Sequence, residues 1–424
     1  MNTCISKGRV IDPASGLDKI TSVYISKGQI VSIGRKPSGF EIKKQINASG
    51  QIVIPGLVDL SARLREPGEH NKANIASETK AAAAGGITTL CCPPDTAPII
   101  DTPAVVELIH QRAEQSGKAK VVCLGALTHG LNGERLAEMY SLKEAGCIGV
   151  SNAMRSIKDT EVMRRAMEYA VTCDMTVFLQ PEDPWLGGGA MHEGAYSTRM
   201  GIPPIPSTAE TIAIARELLL IEATGARAHF MRLSSASSVD MIRNARKRGL
   251  PVTADVSIHQ LHFTDKDVEN YNSLCHVKPP FRHHSDKEKL IAGIKDGTIT
   301  AICSDHQPHD HDDKTAPFSA TEPGVSALDV LLPLALKLVD DKQVSLKAVI
   351  KAMTSTPAKI LGVESGSLAE GAAADLCIFD PEKSWTVTEK TLISEGKNTP
   401  TSGWEMKGKV THTILNGRLV YNKA

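Results

Sequence analysis

The chain has 424 residues, a length that suits a large domain together with a small second one. Lys+Arg and Asp+Glu both number 48, and the resulting net charge of zero argues against nucleic acid or an anionic membrane as the main partner. No apolar run of about 18 residues marks a membrane span. The start of the chain, "MNTCISKGRVIDPASG", lacks a signal-peptide pattern, so we expect a cytoplasmic protein.

Residues 1–52 predict short alternating strands with glycine turns, as in "TSVYISKGQIVSIG". Residues 363–424 predict the same kind of structure, as in "THTILNGRLVYN". We expect the two ends to form the two halves of one small β domain, with these two segments paired in its sheet.

Between these ends, residues 53–362 alternate between strand-like and helix-like runs. Eight strand candidates begin with "IVIPGLVDL" and end with "TITAICSDHQPH", and several of the helical runs between them stop at glycine. Eight strands that are each followed by a helix predict an α/β fold, a (β/α)₈ barrel. A doubly wound open sheet is the alternative, which the count of eight disfavours.

The nine cysteines are predicted to be reduced and buried. Their number is odd, no two are spaced Cys-x-x-Cys, and most stand in apolar runs such as "VVCLGAL". This pattern favours buried thiols over disulfides or a zinc-binding pair.

Seven motifs, spread along the sequence, together span nearly the whole chain: "IPGLVD", "LREPGEHNKANIASETKAAAAGGITTL", "PPDTAPIID", "LSSASSVDMIRNARKRGLPVTADVSIH", "VKPPFRHHSDKEKLIAGIKDGTITAICSDHQPH", "TSTPAKILG" and "GSLAEGAAADLCIFD". Together they resemble the amidohydrolase superfamily and, within it, the long bacterial type of dihydroorotase. The resemblance implies a TIM barrel with a β-sandwich built from both termini.

The resemblance also implies a reaction in which a metal-bound hydroxide opens a cyclic amide such as dihydroorotate. The metal lowers the pKa of its bound water from ~15.7 to ~7, so that a nucleophile exists at neutral pH. The family pattern supplies six ligand positions at the C-terminal ends of the barrel strands: His-x-His after strand one, Asp after strand four, His after strands five and six, and Asp after strand eight.

Five of these six positions hold other residues in this sequence: Ser61, Arg63, Asn152, Gln180 and Arg232. Only the acid of strand eight is kept, as Asp305. A guanidinium group has no lone pair to donate and serine is a poor ligand, so we expect no metal and no other cofactor at these positions. We expect instead that Arg63 and Arg232 hold Asp305 by charge-assisted hydrogen bonds.

The family's substrate pocket is partly kept. The resemblance implies that an Arg, an Asn and a His bind the substrate carboxylate, and the matching positions hold Arg65, Asp95 and His309. Asp95 would repel a carboxylate, at a cost on the order of 1–4 kcal/mol. We therefore expect only a remnant of the pocket, in which Arg65 forms a structural ion pair and does not contact a ligand.

Two functions follow from these observations. The first is a non-catalytic, dihydroorotase-like protein, in which Asp305 is a vestige. By resemblance, it supports the assembly or activity of aspartate carbamoyltransferase in de novo pyrimidine biosynthesis, through a hetero-oligomer with the catalytic chain of that enzyme; a homodimer is left open. The alternative is an active metal-dependent cyclic amidohydrolase with relocated ligands, for which His306, His309 and His311 are the candidates. A pyrimidine-binding sensor stands between the two.

Overall fold

The computed structural model describes residues 2–423. Its strands are β1 Thr3–Asp12, β2 Leu17–Ser26, β3 Gln29–Ile33, β4 Lys44–Asn47, β5 Ile52–Pro55, β6 Leu57–Asp59, β7 Ile87–Cys92, β8 Lys120–Ala126, β9 Cys147–Ser151, β10 Thr176–Leu179, β11 Met191–His192, β12 Pro204–Ile205, β13 Ala228–Phe230, β14 Val252–Ser257, β15 Ala301–Cys303, β16 Leu376–Thr386, β17 Glu405–Leu415 and β18 Arg418–Asn422.

Its helices are α1 Ile75–Ala84, α2 Pro103–Ser116, α3 Met139–Glu144, α4 Thr160–Thr172, α5 Ala195–Met200, α6 Thr208–Thr224, α7 Ala236–Lys247, α8 His284–Lys295, α9 Leu331–Asp340, α10 Leu346–Met353 and α11 Ser355–Leu361. Within residues 2–423, no helix has both the length and the apolar character that a membrane crossing requires.

Eight parallel strands form the barrel in chain order: β6, β7, β8, β9, β10, β13, β14 and β15. The first and last of them meet at their C-terminal ends, where Arg63 N donates to His306 O at 2.9 Å and His306 N donates to Ser61 O at 3.1 Å. The predicted α/β barrel is therefore confirmed, and the open-sheet alternative is wrong. The buried side chains along β7 and β8 fit strands that are covered on both faces.

The two chain ends share a second sheet with the strand order β18-β17-β16-β5-β1-β2-β3, and β4 pairs with β1. A β-rich unit built from both termini is thus confirmed. The direct pairing expected between "TSVYISKGQIVSIG" and "THTILNGRLVYN" is wrong, because β16, β5 and β1 lie between the strands that these segments form.

The run "IVIPGLVDL" is divided at Gly56, and the prediction of a single strand there is wrong. The part before Gly56 is β5, which pairs with β1 and β16 of the terminal sheet, and the part after it is β6 of the barrel. A Cβ atom at Gly56 would lie 2.1 Å from Thr88 Oγ1, so only glycine fits where the chain passes from one sheet to the other.

The nine cysteines are all buried and free, as predicted. Most of the buried apolar side chains form one large core between the barrel strands and their surrounding helices, and a smaller core lies within the terminal sheet.

Candidate active site at the C-terminal end of the barrel

A group of charged and polar side chains lies at the C-terminal end of the barrel. We call Arg63, Asp95, Arg232, His259 and Asp305 the arginine–aspartate cluster. These residues follow strands β6, β7, β13, β14 and β15. They meet because the carboxyl ends of parallel strands lie at the same end of a barrel, which is where catalytic residues of this fold are found.

Asp305 is held mainly by Arg232, and both side chains are almost fully buried. Arg232 Nη1 donates to Asp305 Oδ1 at 2.6 Å, and Gln307 Nε2 donates to the same oxygen at 3.1 Å. Arg63 Nη1 lies 3.6 Å from Oδ1, within ion-pair range but beyond a hydrogen bond. Arg232 thus holds Asp305 as expected, whereas Arg63 adds its charge only.

Arg63 gives its hydrogen bonds to Asp95 instead, a pair that the sequence did not predict. Its Nε and Nη2 atoms donate to Asp95 Oδ2 at 2.9 and 2.8 Å. Burial acts to raise the pKa of Asp95, but the charge and hydrogen bonds of Arg63 outweigh it, and the pKa lies below its ordinary value. Arg63 Nη1 and Asp95 Oδ1 are buried and have no hydrogen-bond partner.

His259 also belongs to the cluster, although no motif in the sequence singled it out. Its Nε2 lies 3.9 Å from Asp305 Oδ2, and its Nδ1 is buried without a hydrogen-bond partner. Burial lowers the pKa of His259 to about 4, and the Arg232 charge acts in the same direction. Its place directly after β14 is the signal that would have identified it, since the other cluster members also follow strand ends.

Several site residues have a left-handed backbone: Arg65 has φ 60°, Arg232 has φ 55° and Asp305 has φ 45°. For residues other than glycine this conformation is uncommon and costs on the order of 1–3 kcal/mol each. Such strain gathers at functional sites, where the surrounding structure holds it in place.

Arg65 and His309 contact each other, since Arg65 Nη2 lies 3.0 Å from His309 Nε2. Each also has an acidic partner: Arg65 Nη1 donates to Glu69 at 2.6 Å, and His309 Nδ1 lies 3.0 Å from Asp313. Burial, together with the Arg65 charge, lowers the pKa of His309 to about 4, so the ring is neutral at neutral pH. The expected ion pair of Arg65 is therefore formed within the protein.

The positions that would hold metal ions in the family do not fit a metal here. Gln180 accepts from Arg232 Nε at 2.7 Å, and Asn152 Oδ1 accepts from Thr128 Oγ1 at 2.7 Å, so both amide oxygens are engaged. Within residues 2–423, no three His, Cys, Asp or Glu side chains are grouped as metal ligands. Two guanidinium groups among the replaced positions add charge that repels a cation.

The relocated ligand set proposed from the sequence is not formed either. His306 Nε2 lies 2.8 Å from Glu78 Oε2, and its Nδ1 accepts from Ala327 N at 3.1 Å. His309 faces Arg65 and Asp313, as described above. The structure gives His306 and His309 separate partners and leaves His311 exposed, so the three rings do not share one site.

A cleft of about 50 Å³ opens beside the cluster. Its lining includes Arg63, Arg65, Glu69, Cys92 and Asp95. One water needs about 10–15 Å³ of such space, so the cleft has room for a few waters. The unpartnered atoms of Arg63 and Asp95 belong to side chains of this lining.

Comparison with known proteins places this chain in a family. Residues 50–238 match the model of the dihydro-orotase-like family, and residues 335–421 match an amidohydrolase family model. The chain is 47% identical to a dihydroorotase-like protein of Pseudomonas aeruginosa over 99% of its own length and 100% of that protein. It is 42% identical to a dihydroorotase of Geobacter sp. (strain M21) over 99% of both chains.

Solved structures show the same fold. An L-hydantoinase (dihydropyrimidinase) from Arthrobacter aurescens superimposes with a TM-score of 0.90 and 23% identity, over 100% of this chain and 96% of that one. A dihydropyrimidinase from Brevibacillus agri gives a TM-score of 0.86 at 21% identity, over 100% and 95% of the two chains.

These relatives correct the expectation of a protein without catalytic activity. Several proteins that are 40–42% identical to the chain over nearly its full length are named dihydroorotase, and the structural neighbours are hydantoinases. The loss of ligand residues had suggested a non-catalytic protein, but the full-length similarity to named enzymes favours an enzyme. The chain belongs to the dihydroorotase-like family of the amidohydrolase superfamily.

Proposed function

We propose that the chain hydrolyses the amide bond of a cyclic amide at the C-terminal end of its barrel, with the arginine–aspartate cluster in place of a metal centre. One observation carries the proposal: Arg63 Nη1, a buried donor without a hydrogen-bond partner, lies 3.6 Å from the carboxylate of Asp305, and Arg63 lines a cleft. The two groups supply the base and the electrophile that amide hydrolysis needs.

Asp305 would act as the general base. Its Oδ1 accepts from Arg232 and Gln307, whereas Oδ2 faces His259 Nε2 at 3.9 Å, beyond direct hydrogen-bond reach. Oδ2 is thus the oxygen that could take a proton from water as the water oxygen bonds to the amide carbon. The C–N bond then breaks, and the proton passes from Asp305 to the leaving nitrogen, which opens the ring.

Arg63 would stabilise the negative charge that develops on the amide oxygen. Its Nη1 atom has no hydrogen-bond partner, and Asp95 fixes the guanidinium plane through two hydrogen bonds. A donor that is positioned before the reaction needs no reorganisation when the charge appears, and removal of one such donor typically costs about 10²–10³ in rate. His259 stays neutral above a pH of about 4 and so adds no further charge.

The proposal is tested by ring opening of a cyclic amide, followed by absorbance, with wild type and the variants Asp305→Asn and Arg63→Met. We expect each variant to lose a factor of at least about 10² in kcat. Glu107→Gln, an exposed carboxylate on α2, serves as the control and should keep the wild-type rate. Equal rates for wild type and Asp305→Asn would contradict the role of Asp305.

We also propose, on the resemblance of the sequence motifs alone, that the chain assembles with the catalytic chain of aspartate carbamoyltransferase. Co-expression of the two chains followed by gel filtration tests this proposal, with each chain run separately as the reference for its own oligomeric state. We expect the chains to elute together. Separate elution at every protein concentration would contradict the assembly.

A further inference from the structure

We infer that the substrate is an uncharged cyclic amide, and that Arg63 and Asp95 bind the carbonyl and the N–H of its amide group. This inference rests on the proposed function and adds the class of substrate to it. In this inference, Asp95 accepts a hydrogen bond from the N–H of the substrate. By resemblance, the family's asparagine at the same position would instead bind a substrate carboxylate.

The first support is the pair of unpartnered atoms in the Arg63–Asp95 ion pair. Arg63 uses Nε and Nη2 on a single oxygen, Asp95 Oδ2, which leaves Nη1 as a free donor and Oδ1 as a free acceptor. Buried polar atoms are almost always paired, and each exception calls for an explanation. A cyclic amide presents an acceptor and a donor side by side, because its C=O and N–H are held cis by the ring.

The second support is the balance of charge around the cleft. The charged side chains that line the cleft are Arg63, Arg65, Glu69 and Asp95. Salt bridges join them in pairs, Arg63 to Asp95 and Arg65 to Glu69. Two cations thus face two anions in this lining, so a ligand carboxylate would enter without an unpaired counter-charge.

The third support concerns Arg65, the residue that would otherwise bind a substrate carboxylate. Its guanidinium donates to Glu69 Oε2 at 2.6 Å and to Pro308 O at 2.9 Å, and it contacts His309 at 3.0 Å. To bind a ligand carboxylate, Arg65 would have to share or leave these partners. The neutral His309 ring adds no positive charge.

The test compares two rings that differ by one carboxylate, 5,6-dihydrouracil and dihydroorotate. Isothermal titration calorimetry gives the Kd of each for the wild-type protein at pH 7.5. We expect the uncharged ring to bind at least tenfold more tightly. Equal binding, or tighter binding of dihydroorotate, would overturn the inference, and so would failure of both rings to bind.

The variant Asp95→Asn tests the role of Asp95, with Glu107→Gln as the matched control. Loss of the negative charge should reduce the preference for the uncharged ring by a factor of ten or more, while the control keeps the wild-type ratio. An unchanged ratio in Asp95→Asn would overturn the assignment. The wild-type comparison stands without the variant if Asp95→Asn does not fold.

Ring opening, measured on the same samples, separates this inference from the proposed function. Preferential hydrolysis of dihydroorotate would support the proposed function and overturn the substrate class. Tight binding of 5,6-dihydrouracil with no hydrolysis of either ring would support the recognition by Arg63 and Asp95 and overturn the proposed function.

Discussion

Arg232 Nη1 lies 2.6 Å from Asp305 Oδ1, and both side chains are almost completely buried. By family resemblance, position 232 corresponds to a metal-binding histidine and Asp305 to the acid that works beside the metal. The guanidinium therefore supplies a fixed positive charge to Asp305 from inside the barrel, and Gln180 orients it by accepting from its Nε atom at 2.7 Å.

Removal of Arg232 should destabilise the protein strongly. Arg232→Met leaves Asp305 buried without its charged hydrogen-bond donor, and loss of one member of a buried pair typically costs about 3–5 kcal/mol in the free energy of unfolding. Urea unfolding measures this loss. The double variant Arg232→Met/Asp305→Asn should lose less than the sum of the two single changes; strictly additive losses would show that the two side chains do not interact.

Glu217 on α6 should make stability depend on pH. The side chain is buried, its Oε2 atom has no hydrogen-bond partner, and burial raises its pKa from 4.5 to about 8. Because the folded-state pKa lies above the unfolded value, its contribution to stability is complete below a pH of about 4.5 and is lost as the pH rises through about 8.

Glu217→Gln removes this titration. The free energy of unfolding of the variant minus that of the wild type should therefore increase as the pH rises from 5 to 8, by on the order of a few kcal/mol. Urea unfolding of both proteins at several pH values gives this difference. Any cost of burying the new amide shifts it by a constant, but a constant does not change how the difference varies with pH. A difference that stays flat across this range would contradict the raised pKa.

Glu78 on α1 should hold the segment 394–398 beside the active site. Its carboxylate accepts from Ser394 Oγ at 2.7 Å and from Glu395 N at 3.1 Å, and it contacts His306 Nε2 at 2.8 Å. The same segment reaches the site through Asn398.

We expect Glu78→Ala to reduce the free energy of unfolding by about 3–5 kcal/mol and to speed amide hydrogen exchange in residues 394–398. Glu107→Ala, which removes an exposed carboxylate on α2, should change stability by less than about 0.5 kcal/mol. Unchanged exchange in residues 394–398 of Glu78→Ala would show that the segment is held by other contacts.

Periodic patterns in the sequence predicted the barrel and the shared terminal sheet, because alternation of strands and helices is a local property of the chain. The break at Gly56 was missed because it depends on contact with Thr88, a residue of the next strand. The helix-like run "GERLAEMYSLKEAG" is helical only over Met139–Glu144, because Leu136 before it forms an isolated bridge with Thr128.

The positions that follow predicted strands identified most of the site residues. The hydrogen-bond and ion-pair partners of these residues could not be predicted from the sequence. Arg63 was expected to bind Asp305, whereas it donates to Asp95, 32 positions further along the chain. Which carboxylate an arginine reaches depends on how the strand ends are spaced around the barrel. The role of His259 was missed for the same reason, since only the folded chain places it 3.9 Å from Asp305.

In the proposed reaction, the arginine–aspartate cluster opens a cyclic amide without a metal ion. The most direct measurement is the rate of 5,6-dihydrouracil ring opening by wild-type protein that has been treated with a chelator and shown by elemental analysis to be free of metal. We expect turnover that survives this treatment, with a kcat that falls by a factor of at least about 10² in Asp305→Asn. Absence of turnover, or turnover that returns only when a divalent metal is added, would contradict it.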